Sequence, residues 1–197
     1  MLPFIYLASQ SPRRSQLLTQ LGIAHELLLA DATEDAESLE EHMAGESPRD
    51  YVQRVTRLKL DAAVQRLQAR GLPPAPVLCA DTTVALGNTI YAKPADAEDA
   101  VRMLRALSGQ THRVLTAVAI GTATQCEQAC SESSVTFASM SEAEIRAYVA
   151  SGEPMGKAGA YAVQGLAAAH IAHISGSYTG IMGLPLYETA QLLKRLA

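Results

Sequence analysis

The chain is poor in aromatic residues and has no excess of positive charge. Its 197 residues include no tryptophan, two phenylalanines and seven tyrosines, and 20 acidic side chains outnumber 16 lysines and arginines. A protein that binds a nucleic acid polymer needs basic surfaces and aromatic rings that stack on bases. The composition therefore disfavours polynucleotide binding, and any phosphate ligand must be held by a local group of cations.

Cysteines and long apolar runs are also scarce. Cys79, Cys126 and Cys130 form no even set and lack Cys-x-x-Cys spacing, which predicts reduced thiols and a cytoplasmic protein. No apolar run reaches the roughly 18 residues of a membrane span, and no leader-like segment opens the chain, so no membrane partner is expected. A 48% apolar content is enough for one domain over 1–197.

Strand-like and helix-like segments alternate along the chain without a repeat. Pro12 and Pro48 each follow a serine that can cap a helix, and Gly87-Asn88 between two apolar runs predicts a hairpin. This order predicts an α/β fold around one partly antiparallel sheet. Strands are expected at 4–7, 26–29, 77–80, 114–120, 134–137 and 170–174. Helices are expected from Pro12 to Gly22, from Pro48 to Gly71, over 95–107, from Glu142 to Gly152, and from about Leu186.

The segment from Ser9 to Arg14 brings two hydroxyls and two guanidiniums to the junction of a strand and a helix. Free backbone N–H groups and the positive end of the helix dipole face outward there. Arg13 and Arg14 add donors shaped for phosphate oxygens. The segment predicts a phosphate site with Ser9, Ser11 and both arginines as ligands. The alternative is a capped surface helix with two solvated arginines.

Asp81 directly follows the predicted strand 77–80, and ligands of open α/β sheets bind beyond the carboxyl ends of strands. A carboxylate there can bind a hard divalent ion, or accept a proton from a water that attacks phosphorus. An aspartate that only caps the following turn is the alternative.

Three lysines complete a candidate set of phosphate-binding cations. Pro94 fixes the direction of Lys93, while Lys59 lies in a predicted helix and Lys157 in a glycine-containing loop. A nucleoside triphosphate carries about four negative charges, which in a partly dehydrated cleft require several cations or a metal ion. For each lysine, a solvated surface charge is the alternative. The full set is Arg13, Arg14, Lys59, Lys93 and Lys157.

The loop 152–165 invites comparison with a P-loop, but it lacks the glycine spacing and the hydroxyl after the lysine that a P-loop requires. Gln164 in this loop has an amide that donates and accepts side by side. That pattern matches the O4 and N3–H edge of uracil or thymine. The acidic segment 31–46, by contrast, predicts a solvated loop that is able to face a cation.

Eight short motifs follow one another along nearly the whole chain. They are Ser9–Arg14, Ala80–Thr82, Lys93-Pro94, Leu107–His112, Gly152–Pro154, Lys157–Tyr161, Gln164-Gly165 and Gly183–Leu186. In this order they resemble the Maf family, whose members are nucleoside triphosphate pyrophosphatases. The resemblance implies a Maf-like fold related to inosine triphosphatases, with a central mixed sheet flanked by helices, a nucleotide cleft between two lobes, and often a homodimer.

The resemblance also implies roles for individual residues. Asp81 matches the catalytic base, and Arg13, Thr82 and Gln164 match the residues associated with base selection. With Gln164, and without a tryptophan after the Ser-Pro pair, the chain resembles the dTTP/UTP branch of the family and not the 7-methyl-GTP branch.

The chain departs from the family pattern at several positions. An acidic residue usually follows the second strand, and in the segment 31–35 Glu34 or another carboxylate is the candidate for a second metal ligand beside Asp81. Gly156 replaces a common aspartate, Ala92 replaces a glycine, and Thr179-Gly180 is unusual in the late turn. These departures predict a reduced rate or an altered base preference.

Together these observations lead to one hypothesis. The chain hydrolyses dTTP or UTP between the α and β phosphates, with Asp81 assisted by Mg²⁺ or Mn²⁺ and the cations neutralising the pyrophosphate leaving group. The alternative, also implied by the resemblance, is a nucleotide-binding regulator of septum formation and cell division with little catalysis.

Overall fold

The computed structural model describes residues 4–31, 34 and 38–196. Within these residues, one seven-stranded sheet has helices on both faces, which confirms the predicted α/β class. The strand order is β2-β1-β3-β5-β6-β7, and β4 pairs with β3. β1 is parallel to β2 and to β3, and the other described pairs are antiparallel. The strands are β1 (Ile5–Leu7), β2 (His25–Leu27), β3 (Val77–Leu86), β4 (Thr89–Tyr91), β5 (Thr111–Gly121), β6 (Cys126–Phe137) and β7 (Ile171–Ser175).

The helices begin where capping residues predict. Ser47 and Ser141 accept hydrogen bonds from the backbone N–H groups of Asp50 and Glu144, which satisfies donors that the helix itself leaves free. None of the described helices is long and apolar enough to cross a membrane. The helices are α1 (Pro12–Gln20), α2 (Pro48–Ala69), α3 (Ala97–Leu107), α4 (Glu142–Ala150), α5 (Tyr178–Met182) and α6 (Leu186–Leu196), with 3₁₀ turns at Ser38–Glu40, Ala158–Ala160 and Leu166–His170.

β3 is longer than its apolar run predicts. The expected strand covers 77–80, but β3 continues to Leu86, so the prediction that Asp81 follows the end of a strand is wrong. Asp81 is the fifth residue of this strand. The extension forms because Thr82 and Thr83 are β-branched and because β5 pairs with the strand as far as Ala85.

One edge of β3 is open in its middle. β1 pairs with β3 only at Val77 and Leu78, and β4 pairs with it only from Val84 onward. Among the described residues, 79–83 therefore have a strand partner on the β5 side and none on the other side. This opening is where the predicted functional side chains gather.

The alternation of side chains along β3 assigns two neighbouring residues to different faces of the sheet. Cys79 packs against α2 on one face, and Ala80 packs against α1 and α6 on the other. By the same alternation Asp81 lies on the α2 face and Thr82 on the opposite face. A ligand in the opening can therefore reach both faces around one strand.

A buried histidine lies near the beginning of β5. His112 is 1% exposed, and its Nε2 lies 2.8 Å from the hydroxyl oxygen of Tyr161. The rings of Phe137 and Tyr161 pack edge-on against it. Nδ1 has no hydrogen-bond partner among the described residues. Burial lowers the pKa of His112 to about 4, so the folded protein holds the ring neutral.

We expect this histidine to make folding stability depend on pH. The unfolded chain binds a proton at His112 below about pH 6.5 and the folded protein does not, so stability decreases as the pH falls from 6.5 toward 4. The loss is about 3 kcal/mol by pH 4. Urea unfolding at pH 7, 5 and 4 measures it, with His112→Gln as the non-titrating control. The same pH dependence in both proteins would contradict the assignment.

Candidate active site

The opening beside β3 continues into a cleft of about 860 Å³. Its walls come from the β1–α1 turn, α2, β3, the turn after β4, and the segments 155–164 and 181–183. A volume of this size is typical of small-molecule sites. Ten of the eleven predicted site residues line the cleft: Ser9, Ser11, Arg13, Arg14, Lys59, Asp81, Thr82, Lys93, Lys157 and Gln164.

A lysine lies between two carboxylates on the α2 face of the cleft. Lys59 Nζ is 2.6 Å from Asp81 Oδ1 and 2.6 Å from Glu40 Oε1. Burial opposes the charge of Lys59, but the two carboxylates outweigh it and raise the pKa of this lysine. Burial also opposes the charge of Glu40, and the lysine outweighs it and lowers the pKa of that carboxyl. Lys59 therefore fixes the orientation of Asp81. The predicted contact between Lys59 and a phosphate stays a prediction.

Glu40 is a site residue that the sequence reasoning missed. It ends the turn Ser38–Glu40, and the Tyr51 hydroxyl donates to its backbone carbonyl at 3.0 Å. Arg54 holds the segment that follows, through the Glu46 carboxylate at 2.6 and 2.7 Å. The acidic loop thus faces a cation as its composition suggested, although positions 32, 33 and 35–37 lie outside the described residues.

The predicted second metal ligand, Glu34, lies elsewhere. Its carboxylate accepts hydrogen bonds from Arg66 at 2.5 to 3.0 Å and lies 3.8 Å from Arg70. The hydrogen bonds from Arg66 lower the pKa of Glu34. Glu34 does not line the cleft, so Glu40 is the carboxylate that the described structure brings next to Asp81.

Arg14 connects three segments on the other face of the cleft. It donates from Nε to the Gly183 carbonyl at 2.8 Å, from Nη1 to Ser9 Oγ at 3.0 Å, and from Nη2 to Thr82 Oγ1 at 3.4 Å. Burial lowers the pKa of Arg14, and the charge of Asp81 opposes that shift. All three acceptors are neutral, and no described carboxylate lies within ion-pair distance of this guanidinium.

The serines of the same turn are set up as donors. Ser9 Oγ accepts from the Ser11 backbone N–H at 3.2 Å and from Arg14 at 3.0 Å, so both of its lone pairs are used. Its hydrogen is left for a ligand in the cleft. Ser11 occupies the N-cap position of α1, but its hydroxyl makes no capping bond. This arrangement favours the phosphate-site interpretation over a merely capped helix.

Arg66 of the cleft is paired with Glu34, but the remaining predicted cations have no carboxylate partner among the described residues. Arg13 donates to the Met182 carbonyl at 3.4 Å, and Lys157 donates to the Glu153 carbonyl. Burial and then the charge of Arg13 lower the pKa of Lys157. Lys93 lines the same cleft. Cations gathered without matching anions favour an anionic ligand.

Comparison with known proteins assigns the chain to a family. The family model described as Maf-like protein matches residues 4–196. The chain is a member of the Maf family. It is 70% identical to the dTTP/UTP pyrophosphatase of Albidiferax ferrireducens, over 97% of this chain and 96% of that one. It is 64% identical to the protein of the same name from Polaromonas sp. strain JS666, over 97% and 95%, and 62% identical to that of Cupriavidus metallidurans, over 98% and 97%.

Solved structures overlap with this Maf protein more loosely. The Ham1 protein of Staphylococcus aureus is 12% identical and has a TM-score of 0.43 over 68% of this chain and 71% of that one. A nucleoside-triphosphatase / dITP/XTP pyrophosphatase of Mycobacterium abscessus is 15% identical and has a TM-score of 0.39 over 68% and 74%.

The loop that carries Gln164 is anchored through a single carboxylate. Glu153 accepts from the Tyr148 hydroxyl at 2.8 Å, from the backbone N–H of Leu166 at 3.0 Å and from that of Ala167 at 3.3 Å. These bonds hold the exposed Gln164 at the rim of the cleft. A Cβ on Gly165 would lie 2.1 Å from Glu153 Oε2, so the glycine of this motif is needed for the close approach.

Two of the departures from the family pattern, Gly156 and Ala92, line the cleft. Gly156 has a φ of +72°, and a Cβ there would meet no atom within 4 Å, so the position is open toward solvent. Ala92 accepts a hydrogen bond from the Gly159 backbone N–H at 3.1 Å and so ties β4 to the lysine loop. The predicted effects on rate and base preference remain predictions.

We expect Gly165→Ala to destabilise the protein by about 1–3 kcal/mol, because the added methyl displaces Glu153 from its donors and leaves them unpaired. Urea unfolding measures the loss. The matched control is the same substitution in a Glu153→Ala background, where nothing remains to be displaced and the second change costs much less. Equal costs in both backgrounds would show that the contact does not matter.

Proposed function

We propose that this Maf protein hydrolyses dTTP and UTP to the nucleoside monophosphate and pyrophosphate. The observation that carries the proposal is the division of charge in the cleft. Asp81 and Glu40 share one lysine, whereas Arg13, Arg14, Lys93 and Lys157 have no carboxylate partner among the described residues. Four such cations match the roughly four negative charges of a nucleoside triphosphate. The names of the close relatives supply the nucleotide bases.

The reaction breaks the bond between the α and β phosphates. A water attacks the α phosphorus, Asp81 accepts its proton, and pyrophosphate leaves toward the cations, which stabilise the charge that develops on it. Lys59 keeps the Asp81 carboxylate oriented through its 2.6 Å contact. Because Ser9 already accepts two hydrogen bonds, its hydroxyl donates its free hydrogen to a phosphate oxygen.

The carboxylate pair fits a hard divalent cation. Two oxygens that are each 2.6 Å from one nitrogen lie within twice that distance of each other, and Mg²⁺ binds through one or two carboxylates together with substrate phosphates. Asp81 and Glu40 would hold Mg²⁺ or Mn²⁺, which supplies positive charge beside the reacting phosphate. Glu34 has its charge matched by Arg66 instead.

The surroundings of the enzyme are part of the proposal. The three cysteines are free thiols, in keeping with the cytoplasmic location that their number and spacing predict. A homodimer remains a prediction from the family resemblance. The ligand is a free nucleotide, because the net charge of −4 does not favour a nucleic acid polymer.

Release of pyrophosphate from dTTP, UTP, CTP, ATP and GTP, with and without Mg²⁺ or Mn²⁺, tests the proposal. We expect Asp81→Asn to keep nucleotide binding, measured by calorimetry, and to lower turnover by about a hundredfold or more, because it removes the proton acceptor. Asp61→Asn, in an exposed ion pair on α2, is the matched control. Full turnover in Asp81→Asn would refute the assignment, and binding without hydrolysis by the wild type would favour the regulator.

We expect Arg13→Ala to cost about 1.5–3 kcal/mol of transition-state stabilisation, because it removes a charged contact to the phosphates. The measurement is kcat/KM for dTTP and UTP. Arg57→Ala, which removes an exposed arginine on α2, is the control and leaves kcat/KM unchanged. A decrease below tenfold in Arg13→Ala would argue against the contact.

A further inference from the structure

A chain of hydroxyl groups leads from the cleft into the core. Thr82 and Thr116 are directly opposite each other on β3 and β5, and their Oγ1 atoms are 3.0 Å apart. Thr116 is 1% exposed, and its Oγ1 lies 2.7 Å from the Gly180 carbonyl oxygen in α5. At the other end, Arg14 Nη2 lies 3.4 Å from Thr82 Oγ1.

The direction of these hydrogen bonds follows from counting hydrogens. A threonine hydroxyl has one hydrogen to donate and two lone pairs that accept. The Gly180 carbonyl can only accept, so the hydrogen of Thr116 is committed to it. Thr82 must therefore donate its own hydrogen to Thr116. One lone pair of Thr82 accepts from Arg14 Nη2 at 3.4 Å, so Thr82 presents its second lone pair to the cleft and has no hydrogen left for a ligand.

The Thr82 hydroxyl offers the cleft an acceptor, whereas the Ser9 hydroxyl offers it a donor. Ser9 accepts twice and offers a hydrogen, which suits a phosphate oxygen. Thr82 cannot bind a phosphate oxygen, because both groups would be acceptors. It can receive only an N–H or O–H group. Apolar side chains of Val84, Val114 and Ile181 line the same cleft and belong to the core cluster on that side, so an uncharged ring is the part of a nucleotide that fits there.

We propose that Thr116 is a positioning residue that makes the site specific for a pyrimidine with a hydrogen on N3. By holding the Thr82 hydroxyl as an acceptor, it matches the N3–H of uracil and thymine, which leaves O4 as the partner of the Gln164 amide. Cytosine has a bare N3 lone pair, which would face another lone pair and stay unpaired. The proposal rests on the proposed function, and it adds how the base is selected and by which residue outside the cleft.

Thr116→Val tests the proposal, because valine keeps the branched shape and removes the hydroxyl. The Thr82 hydrogen is then free to turn toward the ligand and donate to N3 of cytosine. We expect kcat/KM for CTP relative to UTP to rise about tenfold or more. Thr116→Ser, which retains the hydroxyl, should keep the ratio of the wild type. UTP methylated at N3 should be a poor substrate of the wild type.

The outcomes separate this proposal from the function on which it rests. Pyrophosphate release by the wild type decides the function, and the CTP to UTP ratio of the variants decides the role of Thr116. Loss of activity by the same factor on both nucleotides would show a structural role and overturn the proposal. If Thr116→Val does not fold, Thr116→Ala and the N3-methyl substrate decide it. Hydrolysis of N3-methyl UTP at the wild-type rate on UTP would also overturn it.

Discussion

The opening on the edge of β3 is the constraint on which the rest of the site depends. β1 leaves the sheet after two paired residues of β3, and β4 joins only from Val84, so residues 79–83 border a cleft in place of a strand. β5 holds the other side of the same residues through an unbroken antiparallel ladder. Asp81 and Thr82 are therefore placed on a rigid strand and not on a loop, which limits their movement toward and away from a ligand.

Arg14 gives this opening its chemical character. One guanidinium uses neutral oxygens on three separate segments, so its position is fixed while its charge is left unmatched among the described carboxylates. The same contacts orient Ser9 and contribute to the environment of Thr82. One side chain thus supplies a cation and contacts both the donor hydroxyl of Ser9 and the acceptor hydroxyl of Thr82. Such preorganisation means that little reordering is needed when a ligand binds.

Much of the local structure could be predicted from the sequence, because local signals decide it. Ser47 and Ser141 cap helices, and Gly87-Asn88 forms the turn between β3 and β4. The second half of β3 and the first half of β6 carry few large apolar residues. Their pairing depends on β5, which is a contact between distant segments, so the predicted strands 77–80 and 134–137 were too short.

The candidate site likewise contains residues that could be predicted from local motifs and residues that depend on contacts between distant segments. The cations and Asp81 could be named from motifs, and they line one cleft. Glu40 could not, because its role depends on Tyr51 and Arg54 of α2 holding the acidic segment in place. The contact from Thr116 to Gly180 joins a strand to a short helix 64 positions later. No local pattern in the sequence contains that information.

The alternation of Asp81 and Thr82 on β3 has a consequence for molecular recognition. Under the proposed reaction, the carboxylates that act on the attacking water lie on one face of the strand, and Thr82 lies with Arg14 and Ser9 on the other, so a productive ligand has to reach both faces. A nucleoside or an inorganic polyphosphate makes only part of these contacts. It lacks the gain in affinity that a nucleotide obtains because its ribose links the base to the phosphates. The strand that separates the two faces thereby sets the shortest length that a productive substrate can have.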